Sequence, residues 1–224
     1  MIACVLKTGG LYRPDHVQAL RAACALWAPG EPFVCLTDTL VPGVICHPLR
    51  DGRPGWWAKL ELFRRNVFDP GTRILYLDLD TVVVGPLLGI LARPEPFLAL
   101  EDFYRHPPTF ARGLGSGVLA WTAGDPLLAE WYTRFEEEAD VYMRACGWGG
   151  DQRYLETCLT LGGTWSTVTF WPDVVPGQIV SYKVHCHGGQ YPPGARLVCF
   201  HGRPKPWDVP ALEPRRMPVI PCHL

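Results

Sequence analysis

Arg73-Ile74-Leu75-Tyr76-Leu77-Asp78-Leu79-Asp80-Thr81 is the stretch on which the reading of this chain turns. Residues Arg73 to Leu77 end in four large apolar side chains without alternation, the pattern of a strand buried on both faces. The strand runs directly into two acids. On an extended backbone, residues i and i+2 project to the same side, so the Asp78 and Asp80 carboxylates can face one cation. The carboxyl end of a central strand is also where open α/β sheets place their ligands. Two adjacent carboxylates repel each other unless a positive charge lies between them, and a divalent metal is the simplest such charge.

Outward from this strand, regular elements alternate. Ile2 to Lys7 reads as a buried strand closed by Thr8-Gly9-Gly10, and His16 to Trp27 as a helix with Asp15 as its N-cap. Phe33 to Leu36 and Gly43 to Cys46 are short strands. Trp56 to Phe68 predicts an amphipathic helix with Trp57, Leu60, Phe63 and Val67 on one face, and Trp56 and Trp57 read as packing residues. Phe97 to Leu100, Gly117 to Trp121 and Arg196 to Phe200 are further strands; Pro126 to Glu138 and Asp151 to Leu161 are helices. Strands interleaved with helices predict an α/β domain with a mostly parallel central sheet. One domain over 1–224 is expected, with 205–224 as a Pro-rich tail.

Composition narrows the function. Among 224 residues, 48% are hydrophobic and 19% charged, enough to bury a core. Lys and Arg number 21 against 22 Asp and Glu, a net charge of −1. That balance argues against a general nucleic-acid binder, which needs a cationic face. Gly and Pro contribute 23 residues each, so shaped loops connect short elements. Nine scattered cysteines, several inside apolar runs and none in a Cys-x-x-Cys pair, read as reduced core thiols. Thr81 to Ala92, the most apolar stretch, is too short to span a bilayer. With no signal-peptide pattern at Met1 to Lys7, a cytoplasmic location is expected.

A second segment, Cys199-Phe200-His201-Gly202-Arg203-Pro204-Lys205-Pro206-Trp207, ends a strand in an imidazole. A glycine then lets backbone approach a ligand, and a lysine is fixed between two prolines. Such a segment suits a metal-binding nitrogen beside a phosphate-binding ammonium. His185-Cys186-His187 has loop character and reads as no metal site, and Glu136-Glu137-Glu138 as a solvated helix end.

Taken together, Leu77-Asp78-Leu79-Asp80-Thr81 and the late His201–Trp207 segment resemble the glycogenin and bacterial lipooligosaccharide galactosyltransferase group. These are retaining, nucleotide-sugar-dependent transferases of the GT-A fold. The late segment is one residue tighter here, because Gly202 follows His201 directly. Other landmarks recur in order over residues 2 to 207. Thr8 and Tyr12 match positions that touch the uridine, and Lys59 in Gly55-Trp56-Trp57-Ala58-Lys59-Leu60 matches a lysine facing the donor. Asp102 matches a donor-sugar contact. Gly115-Ser116-Gly117-Val118 matches the group's Asn-Ser-Gly-Val, with Gly115 where an asparagine usually stands. Gly150-Asp151-Gln152 matches an Asp-Gln pair beside the anomeric carbon. Leu79, Ser116 and Gly202 join the implied donor contacts.

The resemblance implies transfer of a hexose from a nucleotide sugar, of the UDP type, to a hydroxyl acceptor, expected to be a glycan. Asp78, Asp80 and His201 would hold Mn²⁺ or Mg²⁺, the nitrogen ligand favouring manganese. Lys205 would add fixed positive charge at the departing diphosphate, and Asp151 and Gln152 would steady the cationic sugar from its far side. A hydroxylated nucleic-acid base ranks lower as acceptor. An aspartate-nucleophile phosphohydrolase shares the Asp-Leu-Asp-Thr strand end, but it requires a later close acidic pair, and the acids after Asp151 (Glu156, Asp173, Asp208, Glu213) are isolated. A nucleotide-sugar-binding protein without catalysis is the third reading.

Overall fold

The computed structural model describes residues 1–105 and 111–214. In chain order the elements are β1 (Ile2–Leu6), α1 (Pro14–Trp27), β2 (Phe33–Thr37), β3 (Ile45–Pro48), a 3₁₀ segment (Gly55–Phe63), β4 (Arg73–Leu77), β5 (Thr81–Val83), α2 (Leu88–Leu91), β6 (Phe97–Glu101) and β7 (Leu114–Thr122). They continue with α3 (Pro126–Glu137), α4 (Ala139–Cys146), α5 (Gly150–Gly162), β8 (Val168–Phe170), α6 (Trp171–Val174), β9 (Ile179–Ser181), α7 (Tyr182–His185), β10 (Gln190–Tyr191), β11 (Leu197–Cys199) and β12 (Glu213–Pro214).

Seven strands form the central sheet in the order β3-β2-β1-β4-β7-β6-β8. Neighbours pair in parallel except where β7 runs against β4 and β6. The buried pattern of β1 and β4 follows from covering both faces. Ala3, Ile74 and Tyr76 pack with the 3₁₀ segment, α3, α4 and α5, whereas Ile2, Cys4, Leu75 and Leu77 pack with α1, α2 and α6. Two apolar layers on one sheet require continuous hydrophobic strands.

A second sheet, β5-β11-β9, lies beyond the carboxyl end of β4. Its register sets Cys199 against Thr81 on one side and Ser181 on the other. Phe200 N–H donates to the Asp80 carbonyl at 3.2 Å. The chain after β11 is thereby delivered beside the second acid of the decisive stretch.

Two expectations are corrected. Trp56–Phe68 is no amphipathic α-helix; it is 3₁₀ over Gly55–Phe63, buried from Trp57 to Phe63, Lys59 and Glu61 included. The polar pair is tolerated inside because each is bonded: Glu61 Oε2 accepts from Arg50 N–H at 2.8 Å, and Lys59 belongs to the site below. Asp15 does not cap α1. The helix starts at Pro14, which is suited to a first turn, and His16 Nδ1 accepts from the N–H of Arg13, the flanking residue, at 3.0 Å. Part of the expected Pro-rich tail, 215–224, lies outside the described residues. No described helix is long and apolar enough to cross a membrane.

Candidate active site

The carboxyl ends of β1, β4 and β6 and the amino end of the reversed β7 meet at one edge of the sheet. Leu77 pairs with Val118 and Asp78 N–H donates to the Gly117 carbonyl at 2.9 Å, which sets Ser116 beside Asp78. A cavity of about 500 Å³ opens at this edge. Tyr12, Lys59, Asp78, Asp80, Ser116, Asp151, Gln152, His201, Gly202 and Lys205 line it, together with Trp56 and Trp148. Its volume is that of an ordinary small-molecule site.

Two ammonium groups organise the acids. Lys59 Nζ is 3.1 Å from Asp78 Oδ1 and 2.9 Å from Asp151 Oδ2. It also donates to the Ser116 carbonyl at 3.3 Å and to Ser116 Oγ at 3.2 Å. Burial alone lowers the Lys59 pKa, but the Asp151 and Asp78 charges overcome it and hold the pKa above the usual lysine value. Tyr76 donates its hydroxyl to Asp78. Lys205 Nζ pairs with Asp80 Oδ2 and donates to the Tyr12 hydroxyl at 3.0 Å, while Tyr12 O–H donates to the same carboxylate oxygen at 2.8 Å. Burial, then the Asp78 charge, raises the Asp80 carboxyl above its ordinary value; Lys205 and Tyr12 oppose the rise.

Lys205 reaches the cavity on a C-terminal strap. Its N–H donates to Asp208 Oδ2 at 3.0 Å, and Arg203 bonds the same oxygen at 3.0 Å. Trp207 stacks on His16 of α1 with ring centres 4.0 Å apart and meets Tyr12 edge-on at 5.9 Å. Gly202, at φ +67°, turns the strap in the left-handed region that favours glycine.

The remaining expected residues are distributed as follows. His201 faces the same cavity, but its Nε2 lies 2.6 Å from Ser181 Oγ and its ring stacks on Phe103 at 5.5 Å. Burial, then Lys183, holds its pKa below the ordinary histidine value. Among the described residues, no three His, Cys, Asp or Glu side chains are gathered around one point as a ready metal centre. The donors fit a divalent cation in kind: two carboxylates two residues apart and an imidazole that lines the same cavity. Leu79 is buried beneath the acids. Thr8 lies outside the cavity lining, its N–H and Oγ1 donating to Asp38 at 2.9 and 2.8 Å. Asp102 also lies outside that lining but reaches the site through Gln152, whose Nε2 donates to Asp102 Oδ2 at 3.3 Å.

Residue reading overlooked Tyr76, although it stands two before Asp78 on one strand and so shares its face. It also overlooked Asp38 and a clamp of Arg105 and Glu156. Arg105 Nε donates to Asp102 Oδ2 at 2.8 Å and its guanidinium pairs with buried Glu156. Glu156 follows Gln152 by one turn of α5, so Gln152, Asp102, Arg105 and Glu156 close a ring.

A seven-stranded, mostly parallel sheet with one reversed strand thus carries the acid pair at the carboxyl end of its fourth strand. No protein-family model and no curated protein sequence matches the chain. Solved structures do. The galactosyltransferase LgtC, in complex with donor and acceptor sugar analogues, is similar at a TM-score of 0.63 and 14% identity, over 92% of this chain and 88% of its own. The glycosyltransferase GlyE of Streptococcus pneumoniae TIGR4 is similar at 0.60 and 12%, over 94% of this chain and 56% of its own. The bifunctional glycosyltransferase WbbM gives 0.58 and 13%, over 92% and 46%. The likeness establishes the fold.

Proposed function

We propose that this chain is a glycosyltransferase that moves a hexose from a nucleotide sugar, of the UDP type, to a hydroxyl of a glycan acceptor, with retention at the anomeric carbon. The observation that carries this reading is the gathering of Asp78, Asp80, Asp151, Gln152, His201, Gly202, Lys59 and Lys205 on one cavity at the ligand edge of a GT-A sheet. The LgtC structure contains donor and acceptor sugar analogues, which supports the same partners for this chain.

The chemistry follows from charge. As the glycosidic bond to the diphosphate breaks, negative charge grows on the leaving phosphate and positive charge on the anomeric carbon. Lys205, fixed by the strap, stabilises the first, and the Gly202 backbone leaves room for phosphate oxygens. Asp151 and Gln152 stabilise the second. Fixed charges aimed at developing charges need no reorganisation during reaction, and removing one such element costs on the order of 10²–10³ in rate. Asp78, Asp80 and His201 would hold a divalent ion, Mn²⁺ or Mg²⁺, that supplies further neutralisation of the diphosphate. Tyr12 and Ser116 orient the donor, and the Lys59 ammonium bridges Asp78 and Asp151. A reducing compartment such as the cytoplasm suits the buried core thiols Cys4, Cys24, Cys35, Cys158 and Cys199.

The test is a thermal-shift panel of nucleotide sugars with and without Mn²⁺ on wild type and Asp80→Asn. UDP-hexoses with metal should raise the wild-type Tm and leave the variant unmoved. Equal shifts in both proteins would remove the metal-bound donor from this site. The anomer formed, read by NMR, decides retention.

A further inference from the structure

We infer that Trp148 is the platform on which a pyranose ring of the acceptor glycan stacks, at a subsite that adjoins the donor cavity; the inference rests on the transferase reading above. Trp148 is 97% exposed. An indole is a large apolar body, and leaving it wholly in water forgoes the burial that normally retains tryptophan in a fold. Of the two tryptophans expected to pack, Trp57 does so, buried and stacked on Phe135 at 5.4 Å, whereas Trp56 is half-exposed and lines the cavity. Trp148 stands on the turn Gly147–Gly149, so the turn presents a single side chain beyond Cβ.

The location supplies the occupant. Trp148 lines the donor cavity together with Asp151 and Gln152, and it also lines a second concavity of about 390 Å³. The two share Trp148, Gly149 and Gln152, so whatever occupies the second lies against the group that would flank the transferred sugar. Trp56, 47% exposed, lines the same cavity, and a Cβ at Gly150 would collide with its indole. Glycine at 150, also at φ +54°, is what lets the Trp56 indole lie this close to the backbone that follows Trp148.

The second concavity is also lined by Arg105, Arg153 and Glu156. Arg105 pairs with Glu156, and Arg153 lies 3.9 Å from the same carboxylate, so the wall offers planar hydrogen-bonding groups with opposing charges close together. A polyanion would need uncompensated positive charge there, as nucleic-acid sites do. A neutral polyhydroxyl ring needs one apolar face and a rim of planar donors and acceptors. The slightly positive axial C–H bonds of a pyranose meet the negative face of an indole, and its hydroxyls reach the rim.

The experiment compares wild type, Trp148→Ala and Trp148→Phe. Fluorescently labelled protein is applied with UDP and Mn²⁺ to an array of immobilised neutral and acidic glycans. UDP affinity is measured in parallel by thermal shift, and acceptor KM on any glycan captured. Wild type and Trp148→Phe should capture the same glycans. Trp148→Ala should lose them, with acceptor KM raised about tenfold or more (about 1.4 kcal/mol or more) and UDP affinity altered by far less than that factor. Unaltered capture by Trp148→Ala, or no glycan captured by a wild type that binds UDP, overturns the inference and leaves the donor site standing. Loss of UDP binding in Trp148→Ala also overturns it, by placing the indole in the donor site. A wild type that binds no nucleotide sugar overturns the transferase reading, and this subsite with it.

Discussion

Replacing Lys59 by methionine keeps the volume of a buried side chain and removes its charge. The ammonium lies 3.1 Å from Asp78 Oδ1 and 2.9 Å from Asp151 Oδ2. At about 3 Å and an effective dielectric of about 20, each attraction is worth roughly 5 kcal/mol before desolvation is subtracted. Losing the cation from a buried pair costs a net of about 3–5 kcal/mol, because an uncompensated charge is left behind. Here Asp151 is as buried as its partner, and Asp78 loses part of its neutralisation as well. That is a large share of a typical 5–15 kcal/mol and predicts a fall in Tm of about 6–20 °C for a domain of this size.

The sign with pH is fixed by the raised lysine pKa. Its contribution is fully present below the unfolded value near 10.4 and is lost only as pH rises through the higher folded value. The deficit of Lys59→Met should therefore be flat from pH 6 to 9. Urea melts at pH 6, 7.5 and 9 on wild type, Lys59→Met and Lys59→Met/Asp151→Asn measure it, and the double variant should recover much of the loss. A single variant within 1 kcal/mol of wild type would refute this account of the site.

Three further outcomes are expected. Glu156→Gln should loosen Arg105 and through it Asp102 and Gln152, lowering kcat for transfer about tenfold with donor KM little changed; an unaltered kcat in steady-state assays would show the ring to be scaffolding only. Trp207→Ala should lower stability by about 1 kcal/mol through the lost stack on His16 and weaken UDP binding measured by calorimetry, since the strap that carries Lys205 is anchored there. For Asp38, burial opposes ionisation, but bonds from Lys7 and Thr8 win and lower its pKa to about 2. This depressed acid stabilises the fold above its unfolded value near 3.9 and loses that effect as pH falls toward 2, so the deficit of Asp38→Asn, about 1 kcal/mol after screening by solvent, should shrink between pH 5 and 3 in urea titrations.

What could be read from the residues was what local pattern controls. The apolar run Ile74–Leu77 ending in two acids placed a strand and its ligand edge, because burial on both faces and the i, i+2 spacing are properties of the strand alone. The contents of the cavity required more. Tyr12 and Lys205 are 193 positions apart, and only the resemblance brought them to one place. Gly55–Phe63 was misread because the hydrophobic count of a 3₁₀ segment buried from Trp57 onward mimics one face of an α-helix. Asp15 looked like a cap because the competing arrangement, His16 Nδ1 taking the Arg13 N–H, depends on rotamer and not on residue type. The Arg105–Glu156 clamp and the Ser181–His201 contact carried no signal, since charge pairs between distant segments leave no spacing to recognise. Trp148 offered one in Gly147-Trp148-Gly149-Gly150, an indole among glycines, but exposure became visible only in three dimensions.

The strap also separates folding from competence. The sheet is complete by β8, and β11 ends at Cys199, whereas the last wall of the cavity is built from residues 201 to 208 and held by a few rings and hydrogen bonds. Segments with so little buried surface open far below the free energy of global unfolding. Truncation after Gly202 would leave the central sheet paired but would take away the ammonium that faces buried Asp80, so the cavity would lose a wall and the fold the partner of a buried carboxylate together.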